Sequence, residues 1–378
     1  MRPRRAPPPE TAVRRAFARR LCLSALTLAL SLSPAAAQDG GFFAGKTIRI
    51  LVGYAPGSTA DADPRAPGRP SGLIFSGPGN GFETYARVLA RHLGRFIPGR
   101  PSVVVQNMPG LGGLRAAAYL ADEAAPDGLT LGLLNPVNAV APLLTPSLAS
   151  FDGRRFGWIG SLNREAGVCA FWSPRIETLD DLRRRGVVMG GTGPQAPATI
   201  ETRVLDALLG LRVRMVLGYP SIADMQQPAE RGEIDGYCGQ QVSTMKASMR
   251  EDLMEGRAKL LIQTGLTPHP KLPPDIPHAF ALAPNEEARE IMKIVFGPWS
   301  FGKPLAAPPG VPADRLEALR EALRATLADA SFLGEAARGG MEIDPTPAAE
   351  IEKLLGEIYA TPPDTIVQAR RIVAAGQE

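Results

Sequence analysis

The chain has 378 residues, 44% hydrophobic and 21% charged, with 37 prolines and 40 glycines. That balance excludes a mainly disordered chain and long helical rods. The formal charge is +4, but residues 1–37 hold seven arginines and one acid, which leaves 35 basic and 37 acidic side chains from Gln38 onward, a net charge of −2. A nucleic-acid-binding role therefore loses its electrostatic support.

The N-terminus reads as an address. Arginines are followed by the apolar run Leu21–Leu32, then Ser33-Pro34-Ala35-Ala36-Ala37. A basic region, a short apolar region and an A-x-A site define a cleavable signal peptide over 1–37. The apolar run is short for a membrane span, which needs about 20 residues. Arg14-Arg15-Ala16-Phe17 resembles a twin-arginine start, so the route is Sec or twin-arginine and the destination periplasmic. Cys22 lies at the start of the apolar run rather than after it, which argues against lipid attachment and for a mature protein beginning near Gln38.

Thr47–Val52 is β-branched and apolar, and predicts a buried strand ending in the loop Gly53-Tyr54-Ala55-Pro56-Gly57. Residues 58–78 are polar, rich in Gly and Pro and aperiodic, and read as an insertion or surface loop. From Phe82 the apolar residues Tyr85, Leu89, Leu93 and Phe96 recur at helical steps. A strand over 102–106, a glycine loop over 108–113, a helix to Asp122 and a strand over 129–134 follow. Such alternation predicts a parallel sheet covered by helices.

Further strands are expected at 157–162, 167–172, 187–190, 213–217, 234–238 and 258–263. Helices are expected at 178–185, 196–209 and 221–231, the last weakened by Pro228. The proline-rich stretch from 266 reads as a connection. The C-terminal part reads as helical, with a core-facing stripe of Leu316, Leu319, Leu323 and Leu327 and helices near 347–359 and 363–374.

Catalytic machinery is not evident. There is no G-x-S-x-G elbow, phosphate loop, H-E-x-x-H or C-x-x-C. His92 falls on a helix, and His269 and His278 fall in the proline-rich connection, where solvation is expected; none has metal-site spacing. No enzyme activity, cofactor or metal is expected. The mature chain keeps Cys169 and Cys238. In an oxidising compartment an even number favours a disulfide over two buried thiols.

Glycine loops at strand ends remain as the candidate site. They are Gly53–Gly57, Gly79-Asn80-Gly81, Gly190–Gly193 and Gly218-Tyr219-Pro220. In open α/β sheets ligands bind beyond the carboxyl ends of strands, and a helix start preceded by glycine can hold an anion. Gly81 and Gly193 each stand near such a start. For any one loop, simple turn geometry explains the glycines equally well.

The sequence resembles the Bug-type solute receptors of tripartite tricarboxylate transporters. The pieces that carry the resemblance are Lys46–Tyr54, Tyr85–Ala90, Val103–Gly110 with its N-x-P-G, Ala125-Pro126-Asp127-Gly128, Gly218-Tyr219-Pro220, Arg231–Gly236 and Ala307–Pro312, in order over nearly all the mature chain. The resemblance implies an α/β, two-lobe periplasmic binding protein of the type II class with two inter-lobe crossovers. Lobe one would be 38–145 plus 266–378, and lobe two 146–265. A small organic anion, a carboxylate, would bind between lobes that close on it, and membrane subunits of the transporter would receive it from a monomeric receptor. Carried over by position, the ligand loops are Tyr54–Gly57, Gly79–Glu83, Asn135 and Gly191-Thr192-Gly193, with Asp235 and Cys238–Gln240 near the cleft. For Asp235 a role as a strand-end brace is an equal alternative. The sequence departs from the family where 58–78 interrupts a normally compact loop and where Glu83 replaces an aspartate. Other readings are an exported sensory protein of the same fold, and a secreted hydrolase using Cys169.

Overall fold

The computed structural model describes residues 41–54, 81–194, 196–245 and 247–375. The predicted signal peptide, the 58–78 segment, and Gly57, Gly79 and Asn80 lie outside the described residues. Everything below concerns the unit Phe42–Glu378.

The first half builds strands β1 (Thr47–Val52), β2 (Ser102–Asn107), β3 (Thr130–Leu133) and β4 (Gly157–Ser161), with helices α1 (Gly81–Leu93), α2 (Leu114–Asp122) and α3 (Ala141–Leu144). The middle supplies β5 (Gly167–Phe171), α4 (Leu179–Arg185), β6 (Val187–Gly191), α5 (Pro197–Leu209), β7 (Val213–Leu217), α6 (Gln226–Glu230), β8 (Gly236–Gln241), α7 (Ala247–Met254) and β9 (Lys259–Gln263). The chain ends with α8 (Glu286–Phe296), β10 (Pro304–Ala307), α9 (Ala313–Ala328), α10 (Ala330–Arg338), β11 (Thr346–Pro347), α11 (Ala348–Tyr359) and α12 (Pro363–Ala374).

Two sheets result. The six-stranded sheet runs β11-β4-β10-β3-β1-β2 and the five-stranded sheet β7-β6-β8-β5-β9. In the first, β1 pairs parallel with β2 and β3, but β10 is antiparallel to both β3 and β4. The sheet is therefore mixed rather than purely parallel. The strand expected at 157–162 in the second lobe is β4, and it is bonded into the first sheet. In the second sheet β6 is parallel to β7 and β8, while β5 runs antiparallel between β8 and β9. These directions bring the carboxyl ends of β6, β8 and β9 to one edge, where β5 begins. The chain crosses between sheets from Ser161 to Gly167 and leaves again at Thr264.

Local chemistry accounts for the elements. Ile48 and Ile50 alternate inward from β1, and Phe82, Tyr85, Leu89 and Leu93 bury one face of α1. Thr178 and Asp181 close a reciprocal capping box on α4, and the Asn285 and Asp329 side chains cap α8 and α10. The helix expected over 221–231 survives only as a short 3-10 turn and α6, which contains Pro228.

One core packs α1, α9 and α10 on the first sheet. Another runs from Leu134 and Trp158 through Phe296 and Ile358 to Leu205 and Ile262 of the second. Cys169 of β5 and Cys238 of β8 are joined by a disulfide. His269 is buried rather than solvated, its backbone N–H donating to Gln263 Oε1 at 2.9 Å, while His278 is half-buried; His92 is buried on α1, with Nε2 2.5 Å from Glu335 Oε2.

Candidate functional site

The end of β1 is held by close backbone approach. A Cβ on Gly53 would lie 2.4 Å from the Gly113 Cα, so only glycine lets the strand end rest on the 111–113 turn. The Tyr54 ring then stacks on Phe82 at the start of α1, with centroids 5.3 Å apart. Asn135 follows β3 and does two jobs. Its Oδ1 accepts from Val137 N at 3.1 Å, capping a 3-10 turn, and its Nδ2 donates to the Tyr54 hydroxyl at 2.7 Å. That hydroxyl donates to the Gly112 carbonyl at 3.3 Å, which also accepts from Asn138 Nδ2 at 3.2 Å. Burial pushes the Tyr54 pKa up to about 12, against the Asn135 hydrogen bond, so the phenol stays protonated.

This network approaches the second lobe at Gly112. A Cβ on Gly112 would lie 3.1 Å from Pro197 Cδ, at the first residue of α5. The N-cap of α5 is Ala196, which offers no capping side chain, and Pro197 occupies the first turn. The start of α5 is thus an N-terminus with amide donors left to other partners. Arg203 braces it, donating to the carbonyls of Pro194 at 2.9 Å and Val373 at 3.0 Å.

The glycines of 191–193 divide by role. A Cβ on Gly191 would lie 2.7 Å from Leu217 Cδ2 and 2.8 Å from both Met215 Cε and Thr199 Oγ1, so this glycine answers to internal packing. A Cβ on Gly193 would meet nothing within 4 Å. Thr192 and Gly193 are partly exposed. Gly81, the first residue of α1, is also partly exposed.

Asp235 is not brought to this place. It lies just before β8, level with the start of β6, where its Oδ2 accepts from Val188 N at 2.8 Å and its Oδ1 faces Arg175 at 3.1 Å. The brace role is the one the geometry supports. Cys238 is engaged with Cys169, and the Glu83 carboxylate accepts from Arg87 Nε at 2.9 Å.

A buried ion pair at the crossings has no counterpart in the sequence reading. Lys303 and Glu165 are both fully buried in their side chains, with Nζ 3.5 Å from Oε2. Lys303 also donates to Gln241 Oε1 at 2.8 Å and lies 4.7 Å from the Phe82 ring centroid. Glu165 accepts further from Asn163, Ser243 and the Ala166 N–H. Burial lowers the Lys303 pKa, and the neighbouring carboxylate opposes that. Glu165 and Lys303 are 138 residues apart, and no local motif marks either.

Two mixed sheets joined by two crossings, with strand and helix ends meeting between them, define a two-lobe periplasmic binding protein fold of the type II class. Solved structures share it. The periplasmic binding protein BugD superposes with a TM-score of 0.56 at 19% identity, covering 86% of this chain and 97% of its own. A TctC solute binding protein from Polaromonas gives 0.57 at 16%, covering 85% and 98%. MatC from Rhodopseudomonas palustris with bound malate gives 0.56 at 19%, covering 87% and 99%. No family model matches the chain, and no curated protein matches it in sequence.

Proposed function

We propose that this protein is a periplasmic solute receptor that binds a small carboxylate between its lobes and delivers it to the membrane subunits of a tripartite tricarboxylate-type transporter. The observation that carries this reading is the lack of room for a side chain between Gly112 and Pro197, which sets the Asn135–Tyr54 network of one lobe near the uncapped start of α5 in the other. An anion there would meet helix amides and the open face of Gly193. The fold shared with a malate-bound protein supports a carboxylate as the ligand class.

In this reading lobe one is the six-stranded sheet with its helices, and lobe two the five-stranded sheet. The first crossing is 162–166, so the boundary moves from 146 to the end of β4. Export with cleavage near Ala37 and a monomeric mature form complete the proposal. Tyr54, Asn135, Thr192 and Gly193 line the ligand side, with Gly81 at the start of α1.

The test is a thermal-shift screen of the purified protein against mono-, di- and tricarboxylates and amino acids. Ligand at a hundred times its dissociation constant should add about 2.7 kcal/mol. A selective carboxylate shift supports the receptor; a response to amino acids alone overturns the ligand class.

A further inference from the structure

Glu201 lies in the second turn of α5 and is fully buried. Trp299 Nε1 donates to its Oε1 at 2.7 Å. Its Oε2 has no hydrogen-bond partner among the described residues, and neither has Thr264 Oγ1, which is also buried. Both oxygens lie over the same glycine. A Cβ on Gly167 would stand 2.6 Å from Thr264 Oγ1 and 3.2 Å from Glu201 Oε2. Any other residue would fill the space on which they converge.

Leaving a buried carboxyl oxygen and a buried hydroxyl unpaired is costly, and small polar spaces between such groups hold water. We propose that Glu201 Oε2 and Thr264 Oγ1 form an internal site for a single water molecule above Gly167. Water suits the site because it can accept from a protonated carboxyl and donate to a hydroxyl. Oε1 is taken by the Trp299 N–H and no cation among the described residues is bonded to the carboxyl, so in this site Glu201 carries a proton, and Oε2 is the oxygen free to donate it. Burial pushes the Glu201 pKa up to about 8, against the Trp299 hydrogen bond.

Several charged groups on the surrounding elements are engaged elsewhere. Arg203 and Asp206 of α5 bind the carbonyls of Pro194 and Val373 and the Val213 N–H. Lys303 faces Glu165 and Gln241. Lys293 of α8 pairs with Glu357, and His278 bonds the Gly265 carbonyl through Nε2.

The position gives the site its consequence. Gly167 is the first β5 residue after the first crossing, and Thr264 is where the chain leaves β9 for the second. The Thr264 N–H already donates to the Gly167 carbonyl at 2.8 Å. A water here ties both crossings to α5, the helix whose start faces the other lobe. Ionising Glu201 places an unpaired charge at that junction.

Two experiments test this without any ligand. A high-resolution crystal structure of the wild-type protein should show one water within hydrogen-bond distance of both oxygens. No density there, or a direct Glu201–Thr264 hydrogen bond, overturns the site. The second is thermal stability against pH. The folded state holds the Glu201 proton more tightly than the unfolded state, whose ordinary value is 4.5, so this group's contribution is complete below that value and is lost as pH rises to about 8. Glu201→Gln keeps a donor for the water and should flatten that decline. Equal pH slopes in wild type and Glu201→Gln overturn the protonated carboxyl. The crystallographic result decides the site even where the variant does not fold.

Discussion

Tyr54 and Asn135, 81 residues apart in the chain, meet at 2.7 Å with the amide donating to the phenol. The bond joins the end of β1 to the end of β3, neighbours in the first sheet. Through the Tyr54 hydroxyl it continues to Gly112, where an added Cβ would lie 3.1 Å from Pro197 Cδ of the other lobe. The ends of β1 and β3 and the 111–113 turn are therefore one hydrogen-bonded unit.

Tyr54→Phe keeps the ring on Phe82 and removes the hydroxyl. The Asn135 amide loses an acceptor and the Gly112 carbonyl loses a donor. The expected cost is about 1–2 kcal/mol in urea unfolding, with weaker carboxylate binding. A variant as stable and as tight as wild type contradicts the network.

Gly191→Val and Gly193→Val should behave oppositely, although the residues are two apart. The first drives a side chain into Leu217, Met215 and Thr199 and should cost roughly 1–3 kcal/mol or more. The second meets open space and should leave the melting temperature nearly unchanged while abolishing ligand response. Equal destabilisation by both would falsify the division.

Lys303→Met leaves Glu165 buried without its cation. The expected loss is about 3–5 kcal/mol, and the double variant Lys303→Met/Glu165→Gln should recover most of it. Chemical denaturation of the three proteins checks this; a harmless single variant would mean the pair holds nothing.

Removing the disulfide with Cys169→Ala/Cys238→Ala reopens a loop with a sequence separation of 69. Loop entropy predicts a loss of about 4 kcal/mol. A free-thiol assay on the protein from Gln38 onward should find none before reduction and two after.

Much of this architecture is legible in the residues. Thr47–Val52 begins and ends where its β-branched and apolar run does, because those side chains favour a pleated, buried surface. The stripe of Leu316, Leu319, Leu323 and Leu327 faces the core, as its spacing implies, with Leu316 only partly buried at its edge. β10 is not legible. Pro304-Leu305-Ala306-Ala307 is short and begins with proline, and only its pairing with β3 and β4 makes it a strand. The same limit hides which sheet owns β4. Within the site, Gly191 and Gly193 look alike in sequence; the direction in which each missing Cβ would point separates them. Glu165, Lys303, Glu201 and Thr264 acquire their meaning from contacts made across the chain, which no local pattern records.

The most direct measurement is titration calorimetry, into wild-type protein and into Gly193→Val, of the carboxylate that gives the largest shift in a thermal screen of mono-, di- and tricarboxylates. The account predicts saturable one-to-one binding to wild type and none to the variant, with both folded by circular dichroism. Unchanged binding to Gly193→Val would place the ligand away from the α5 start and contradict the proposed cleft.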